Sequence, residues 1–395
     1  MAGRQRLAIA AGLATATAAA AVAPIAGRRL VARTERRLCA TPAPIARRPS
    51  PAAVDLHAGL DVVDLHADSL LWGRDLLVRG DRGQVDVPRL IEGRVALEGF
   101  AACVRVPRHL DPERNDDTSD DVLLVAIGGG WPVRTWRSAL ARAVYLARRA
   151  MAFADASAGR LTMIRTPGDL ADHLDRRRAG VAVTAALLTI EGPAPLEGQV
   201  GNVDRLVDAG FRMLGLAHFV DNAFAGSAHG IRRGGLTSVG RELLVALEDR
   251  SVIVDVAHAS TATIDDVLAL ARRPVVLSHG GLRSASPSTR TIPDEQARGI
   301  AATGGLIGVG FWPEVTGGHD VAAIARSIVR AIEVAGPDRV ALGSDWDGGV
   351  EVPIDPTGLV HLTDALLAGG VDAATIRAVM GGNALRFLGT VLPSA

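Results

Sequence analysis

Short apolar runs alternate with amphipathic stretches along most of the chain. Eight runs are apolar almost throughout, as expected for strands that a parallel sheet buries on both faces. They are residues 61–66, 96–106, 181–190, 211–217, 251–257, 274–278, 304–311 and 339–344. Apolar residues recur at helical spacing in the intervals 202–209, 238–249, 261–271, 321–335 and 373–388. This regular alternation predicts βα units and a parallel sheet.

Eight such units within residues 54–395 favour a closed (β/α)8 barrel of the TIM type over an open sheet. The interval 107–175 is too long for one βα loop. It opens with the polar stretch "RHLDPERNDDTSDD", and residues 133–154 carry a helical pattern. We therefore expect 107–175 to be an insertion beside the second strand.

The N-terminus differs from the rest of the chain. Residues 7–26 form an uncharged, Ala-rich apolar helix candidate, about long enough to cross a bilayer. Two arginines precede the run, five follow it, and no small-residue cleavage site is evident. This favours a single-pass membrane anchor over a cleaved signal peptide, while the charge balance leaves the side of the membrane open. Residues 38–53 are Pro-rich, so we interpret 1–53 as anchor plus linker and 54–395 as the barrel domain.

Charge and composition exclude several classes of site. The chain has 43 acidic and 43 basic residues, so net charge gives no reason to expect a nucleic-acid partner. It contains no lysine, which excludes Schiff-base chemistry and a metal bridge built on a modified lysine. Two cysteines, Cys39 and Cys103, are too few for a disulfide framework or a thiolate zinc site. A metal site would have to use histidine and carboxylate ligands.

Six of the eight predicted strands end in an imidazole or an ionisable side chain. In chain order these are His66 with Asp68, Glu191, His218, His258, His279 and Asp345. A single strand-end histidine is more often a hydrogen-bonded structural group. Because the carboxyl ends of all barrel strands meet at one rim, however, six together need a common partner, and a divalent cation is the simplest.

The spacing of these residues suggests two ions. His66 and Asp68 lie two apart on one strand and point the same way, so they can share one cation. His258 and His279 come from neighbouring strands and can share another. Ions about 3.5–4 Å apart need a bridging anion, and Glu191 is the natural candidate. Zinc suits this ligand set best, with manganese and cobalt as alternatives.

The ordered set of motifs resembles the membrane dipeptidase (renal dipeptidase, peptidase M19) family of the amidohydrolase superfamily. The matching stretches are "DLHADSLLW", "LLTIEG", "DAGFRMLGLAHFVDN", "GGLTSVGRELL", "IVDVAHAS", "PVVLSHGGLRSASPSTRTIPDE", "ALGSDWDGG" and "GGNALRFL". They run in family order from about residue 61 to 388. Each motif is weak alone, but the ordered set is specific.

The resemblance implies a metal-dependent hydrolase barrel with two zinc ions that hydrolyses dipeptides, including L-Xaa-D-Xaa, through a metal-bridging hydroxide. It assigns His66 and Asp68 to one zinc, His258 and His279 to the other, and Glu191 to the bridge. It further implies that Asp345 handles the proton, that His218 contacts the substrate carbonyl, and that Arg290 holds the terminal carboxylate. It also allows a homodimer.

The sequence departs from the family pattern at two places that are expected to lie at the entrance of the substrate pocket. Gly280-Gly281 follows His279 where relatives often carry serines, and Pro193-Ala194 stands where a Gly-His pair is common. Side-chain preference is therefore open. A lactonase or N-acyl-amino-acid deacylase of the same superfamily is the alternative enzyme. A barrel that only binds its ligand is the alternative from another class.

The remaining histidines are expected to be solvent-exposed, because they lie in loops or polar contexts. They are His57, His109, His173, His229, His319 and His361. Asp347, two residues beyond Asp345, is expected to be structural and to face away from the site.

Overall fold

The computed structural model describes residues 25–394. Its strands are β1 (Val62–Ala67), β2 (Val95–Cys103), β3 (Leu161–Met163), β4 (Thr184–Glu191), β5 (Phe211–Gly215), β6 (Ile253–Asp255), β7 (Val275–Leu282), β8 (Thr291–Ile292), β9 (Leu306–Val309) and β10 (Val340–Leu342). Eight of them form a parallel ring in the order β1-β2-β4-β5-β6-β7-β9-β10. Pairing of β10 with β1 closes the ring. The predicted eight-stranded barrel is confirmed, and each predicted apolar run overlaps one ring strand.

The helices are 25–38 (α1), Pro51–Ala58 (α2), Val87–Glu92 (α3), Asp121–Gly128 (α4), Ala139–Ala156 (α5), Pro167–Arg178 (α6), Asn202–Asp208 (α7), Ser238–Asp249 (α8), Thr261–Leu270 (α9), Asp294–Ala302 (α10), Pro313–Thr316 (α11), Val321–Ala335 (α12), Leu359–Ala368 (α13), Ala373–Arg377 (α14) and Asn383–Val391 (α15). Side-chain caps define many of their starts. Thr166 and Asp169 form a capping box at α6, and Ser260 accepts from the Thr263 amide at α9.

Two short strands lie outside the ring. β3 pairs with the first residues of β4, and β8 pairs with the last residues of β7. The interval between β2 and β4 holds α4, α5, β3 and α6. The helix expected over 133–154 is a 3-10 turn, Val133–Trp136, followed by α5.

The helix expected over 373–388 is also divided, into α14 and α15, by a π-turn at Ala378–Gly382. Gly381 lies there against the start of β1. A Cβ at this position would lie 1.9 Å from the Asp61 carbonyl oxygen, so only glycine permits the approach.

The hydrophobic core has two parts. The larger packs the outer face of the ring against the surrounding helices. The smaller contains residues from all eight ring strands together with Phe387, Leu388 and Val391 of α15. An inner core of this kind fills the barrel and leaves the opposite rim for chemistry.

The segment before the barrel packs onto it through buried charges. Glu35 of α1 is fully buried and accepts hydrogen bonds from Arg74 and from Arg82 Nε at 2.7 Å. Arg74 also pairs with the buried Asp347. Beyond α1, residues 39–50 contain no helix or strand.

Nearly all of the apolar run 7–26 lies outside the described residues, so the structure gives no view of the expected anchor. Within 25–394, no helix is both long and apolar enough to cross a membrane.

We predict that Arg74→Met strongly destabilises the fold. The change leaves the buried carboxylates of Glu35 and Asp347 without their shared cation, which costs about 3–5 kcal/mol when a buried ion pair is broken. Urea unfolding followed by circular dichroism measures the loss. Arg79→Met is the control, because Arg79 and its partner Glu92 are about half exposed and such pairs contribute about 0–1 kcal/mol. Equal unfolding midpoints for the two variants would contradict the structural role of Arg74.

Candidate active site

Four histidines surround one carboxylate at the carboxyl rim of the barrel. Glu191 Oε1, at the end of β4, lies 3.0 Å from His258 Nε2 and 3.3 Å from His218 Nε2. It lies 3.5 Å from His279 Nε2 and 3.7 Å from His66 Nε2. All five side chains are buried. The rim therefore brings together strand ends that are far apart in sequence.

Potential ligand atoms form overlapping groups around Glu191. His66, Asp68 and Asp345 each offer a donor atom, and these atoms lie within 4.8 Å of one another. His66, Glu191 and His279 form a second group of the same size. His258 Nε2 lies 3.1 Å from His279 Nε2. His66 thus belongs to both groups, while Glu191 belongs to the group on the His279 side.

Several buried atoms in this cluster have no hydrogen-bond partner. Among the described residues these include His66 Nε2, Asp68 Oδ1 and Glu191 Oε2. An unpartnered buried polar atom costs about 1–3 kcal/mol. A divalent cation would supply the missing partner to all three atoms, so the donor set fits a metal centre.

Electrostatics lead to the same conclusion. Burial raises the pKa of Asp68 to about 8 and that of Asp345 to about 7. Burial, and next the nearby Asp68, hold the pKa of Glu191 well above its usual range. Burial also keeps the pKa of His258 and of His279 well below the usual value. Neutral imidazoles are ready ligands, and a cation among the carboxyl groups would offset the cost of ionising them.

A hydrogen-bonded chain orients His279. Ser278 Oγ donates to Asp255 Oδ2 at 2.6 Å and lies 2.8 Å from His279 Nδ1. Since the serine proton is used on the carboxylate, the imidazole donates its Nδ1–H to Ser278. This leaves the Nε2 lone pair of His279 facing the cluster. The sequence analysis missed Asp255 and Ser278, although "VIVDVAH" places an aspartate inside an apolar run.

A similar arrangement holds the Asp345 turn. Asp64 accepts from both the backbone nitrogen and Oγ of Ser344, each at 2.7 Å. Asp345 has φ 62° and His258 has φ 61°, in the left-handed region that non-glycine residues rarely adopt. Such backbone strain is found where surrounding contacts impose it, often at functional sites.

Asp347 has the structural role expected of it. Its carboxylate accepts from Ser69 Oγ at 2.6 Å and from the Gln84 backbone nitrogen at 2.7 Å, in addition to Arg74. It therefore holds the loops after β1 and β10 together, and the residue also lines the cavity that contains the cluster.

Arg290 faces the cluster from the loop between β7 and β8. It is half-buried, and its guanidinium carbon lies 5.3 Å from the centre of the Trp312 ring. One terminal nitrogen of Arg290 is shielded from solvent and has no hydrogen-bond partner among residues 25–394. Arg290, His218 and Glu191 line the same cavity of about 1230 Å³. The site thus holds an unpartnered cation beside the His–carboxylate cluster.

Cys103 is a residue that sequence reasoning set aside. It ends β2, pairs in register with Glu191, and lies with Glu191 and His218 in a third group of potential ligand atoms. A thiol is therefore within reach of the site. Burial, and next the Glu191 carboxylate, hold the pKa of Cys103 well above its usual range, which keeps the thiol protonated. Its position at the end of an apolar run was the available signal.

Three histidines expected at the surface are buried, and that expectation was wrong for them. His57 bonds Thr363 Oγ1 at 2.9 Å, and His173 Nε2 bonds the Ala96 carbonyl at 2.8 Å. Hydrogen bonds satisfy both rings, that of His57 where α2 meets α13 and that of His173 where α6 meets β2.

His229 is the third, and it lines the cavity. Its Nδ1–H donates to the Pro112 carbonyl at 2.7 Å, which leaves Nε2 buried and unpartnered. The Gly-rich context "GSAHG" suggested exposure, but contacts with the insertion cover the ring.

Comparison with known proteins gives a consistent family. The profile of the membrane dipeptidase family (peptidase family M19) matches residues 51–393. Dipeptidase aclJ of Aspergillus oryzae is 31% identical over 217 residues, which are 52% of this chain and 51% of that enzyme. The match thus spans about half the length of that relative. An uncharacterized Klebsiella pneumoniae protein from the pqqA 5′ region is 30% identical over 60% of this chain and 90% of its own length.

Solved structures share the fold. The dipeptidase AC metallopeptidase of family M19 is 24% identical with a TM-score of 0.69, over 84% of this chain and 99% of its own. A Rhodobacter sphaeroides metallopeptidase, solved with a phosphinate mimic of L-Ala-D-Ala, is 23% identical with a TM-score of 0.67, over the same shares. Because the family profile covers most of the sequence, including the whole barrel, this chain belongs to the membrane dipeptidase family, peptidase family M19.

Proposed function

We propose that the protein is a metal-dependent dipeptidase with two zinc ions, which hydrolyses the amide bond of dipeptides that carry a free terminal carboxylate. The observation that carries this proposal is the convergence of four histidines on Glu191 beside the unpartnered Arg290. Family membership supports the same reaction class.

The ligand set follows from the donor groups. His66, Asp68, Glu191, His258 and His279 would hold the ions, with Glu191 shared because its Oε1 is close to all the imidazoles. Such ions polarise carbonyl groups and acidify water.

Asp345 and His218 supply the remaining steps. Asp345 is buried, lies beside His66 and Asp68, and accepts the proton of the attacking water before returning it to the leaving amine. His218 Nε2 faces Glu191 and donates a hydrogen bond to the oxygen of the tetrahedral intermediate. In these roles, the Asp345 carboxylate and the His218 imidazole lie where charge develops during the reaction.

Arg290 selects the substrate. Its guanidinium presents paired donors that suit a carboxylate, and it faces the cavity from beside Trp312. A carboxylate held there leaves the preceding amide bond beside Glu191. No feature of Arg290 requires an L residue at the C-terminal position, so we include L-Xaa-D-Xaa dipeptides among the substrates.

Metal removal is expected to abolish hydrolysis. Chelated protein should release no amino acid from L-Ala-L-Ala or L-Ala-D-Ala, and zinc should restore the rate. Metal analysis of the restored protein should find two ions per chain. N-acetyl-alanine is the parallel substrate, since a preference for it over both dipeptides would instead favour the N-acyl-amino-acid deacylase. Full activity in metal-free protein would rule out the proposed chemistry.

Asp345→Asn is expected to lower kcat by about 10²–10⁴, the usual contribution of a general acid–base group, with the fold unchanged by circular dichroism. Glu351→Gln is the matched control, because Glu351 lies in the same loop and is exposed. An unchanged kcat in Asp345→Asn would remove this residue from the mechanism.

Arg290→Met is expected to lower kcat/KM for a dipeptide about tenfold to a hundredfold, mainly through KM, because hydrogen bonds to charged groups contribute about 1.5–3 kcal/mol. The corresponding dipeptide amide, which lacks the carboxylate, should lose little. Arg283→Met, on an exposed side chain of the same loop, serves as control. An equal decrease in kcat/KM for the dipeptide and its amide would show that Arg290 does not bind the carboxylate.

A further inference from the structure

We propose that α1, together with α4, forms a subsite that selects a large apolar side chain on the N-terminal residue of the substrate. The inference rests on the proposed dipeptidase function and adds a specificity element to it. The family profile begins at residue 51, so α1 lies outside the part of the chain that carries the shared chemistry.

Helix α1 is held firmly against the barrel. Its Glu35 is buried against Arg74, which also binds Asp347 in the loop after β10. Cys39, just beyond the helix, is fully buried and its Sγ lies 3.1 Å from the Asp347 carbonyl oxygen. Because Asp347 is two residues from Asp345, α1 is fixed relative to the site itself.

Two glycines bring α1 into close contact with α4. A Cβ on Gly27 would lie 2.8 Å from the Gly128 carbonyl oxygen, and a Cβ on Gly128 would lie 3.0 Å from Cγ2 of Val31. Backbones can approach this closely only where side chains are absent. The two helices therefore form one continuous wall.

One face of α1 lines the cavity that contains Glu191 and Arg290. The residues on this face are Leu30, Val31, Thr34, Arg37 and Leu38. Their spacing of three, four and seven places them on the same side of a helix. Arg29, Arg33 and Arg36 are exposed and do not line the cavity. Besides Thr34 and Arg37, the helix thus presents three aliphatic side chains to the cavity, whereas its other arginines face solvent.

The strand that leads to this wall lies opposite the strand that leads to Arg290. Helix α4 follows β2, whereas Arg290 follows β7. In the ring order, β2 and β7 are four strands apart in either direction. A dipeptide with its carboxylate at Arg290 and its amide beside Glu191 therefore directs its N-terminal residue toward α1 and α4.

Three leucine side chains of this wall are exposed. Leu30 is 65% exposed, Leu38 38% and Leu124 of α4 51%, and all three line the cavity. Grouped apolar exposure marks a binding surface more often than single exposed residues do. The cavity of about 1230 Å³ also exceeds the usual range for small-molecule sites, about 300–1,000 Å³. An aliphatic or aromatic substrate side chain would fill this space.

The test compares kcat/KM for L-Leu-D-Ala and Gly-D-Ala in the full-length, zinc-loaded protein. Wild type should prefer L-Leu-D-Ala at least tenfold, since one lost apolar contact changes kcat/KM by about 10–200-fold. Leu30→Asp should reduce this preference about tenfold. Arg29→Asp places the same new carboxylate on a side of α1 that is exposed and does not line the cavity, and it should leave the preference unchanged. Equal thermal midpoints show that both variants fold.

A binding measurement separates the inference from the proposed function. Calorimetry on the zinc-loaded Asp345→Asn protein compares the two dipeptides with and without Leu30→Asp. Hydrolysis with a preference that Leu30→Asp does not alter would overturn the subsite and keep the dipeptidase. No hydrolysis, but weaker binding of L-Leu-D-Ala in Leu30→Asp, would keep the subsite and overturn the reaction. No hydrolysis and no binding would overturn both.

Discussion

The main physical constraint on this structure is the free-energy cost of burying Glu191 among four imidazoles at the barrel rim. In a dry site, burial favours the neutral carboxylic acid and the neutral imidazole, so the protein alone gains little from bringing them together. Cations reverse that balance, because each ligand then pairs with a positive charge. The rim therefore suits a cationic occupant, and binding one would couple the stability of the site to its chemistry.

Residues that hydrogen-bond to the candidate metal ligands, or to the backbone beside them, set the positions of these ligands. Asp255 and Ser278 fix the tautomer of His279, while Asp64 holds Ser344 next to the strained Asp345. Hydrogen bonds to both carboxylate oxygens of Asp64 and of Asp255 offset part of the cost of burying them. They allow the barrel to hold His258 and Asp345 in backbone conformations that an isolated chain avoids.

The barrel and the polar residues at its rim could be predicted because both produce a repeating pattern in the sequence. Buried parallel strands are continuous apolar runs, and a polar residue that ends one run after another is visible without a structure. Contacts between distant segments leave no such signal. Cys103 and His229 therefore escaped notice, since their roles depend on register with Glu191 and on cover by the insertion. The apolar wall of α1 escaped for the same reason.

Helix α1 lies outside the residues that the family profile matches, yet it lines the same cavity as Glu191 and Arg290. The candidate metal ligands come from strand ends, where sheet pairing holds the backbone. A cavity wall requires only shape and polarity, so a helix that precedes the barrel can supply it. The buried Glu35–Arg74–Asp347 cluster fixes the position in which this helix packs. In any other position a charge would be buried without its partners, and this would cost more free energy than the apolar contacts contribute. A helix attached by apolar contacts alone could slide along the rim, whereas this one is held in a single register beside the turn that carries Asp345.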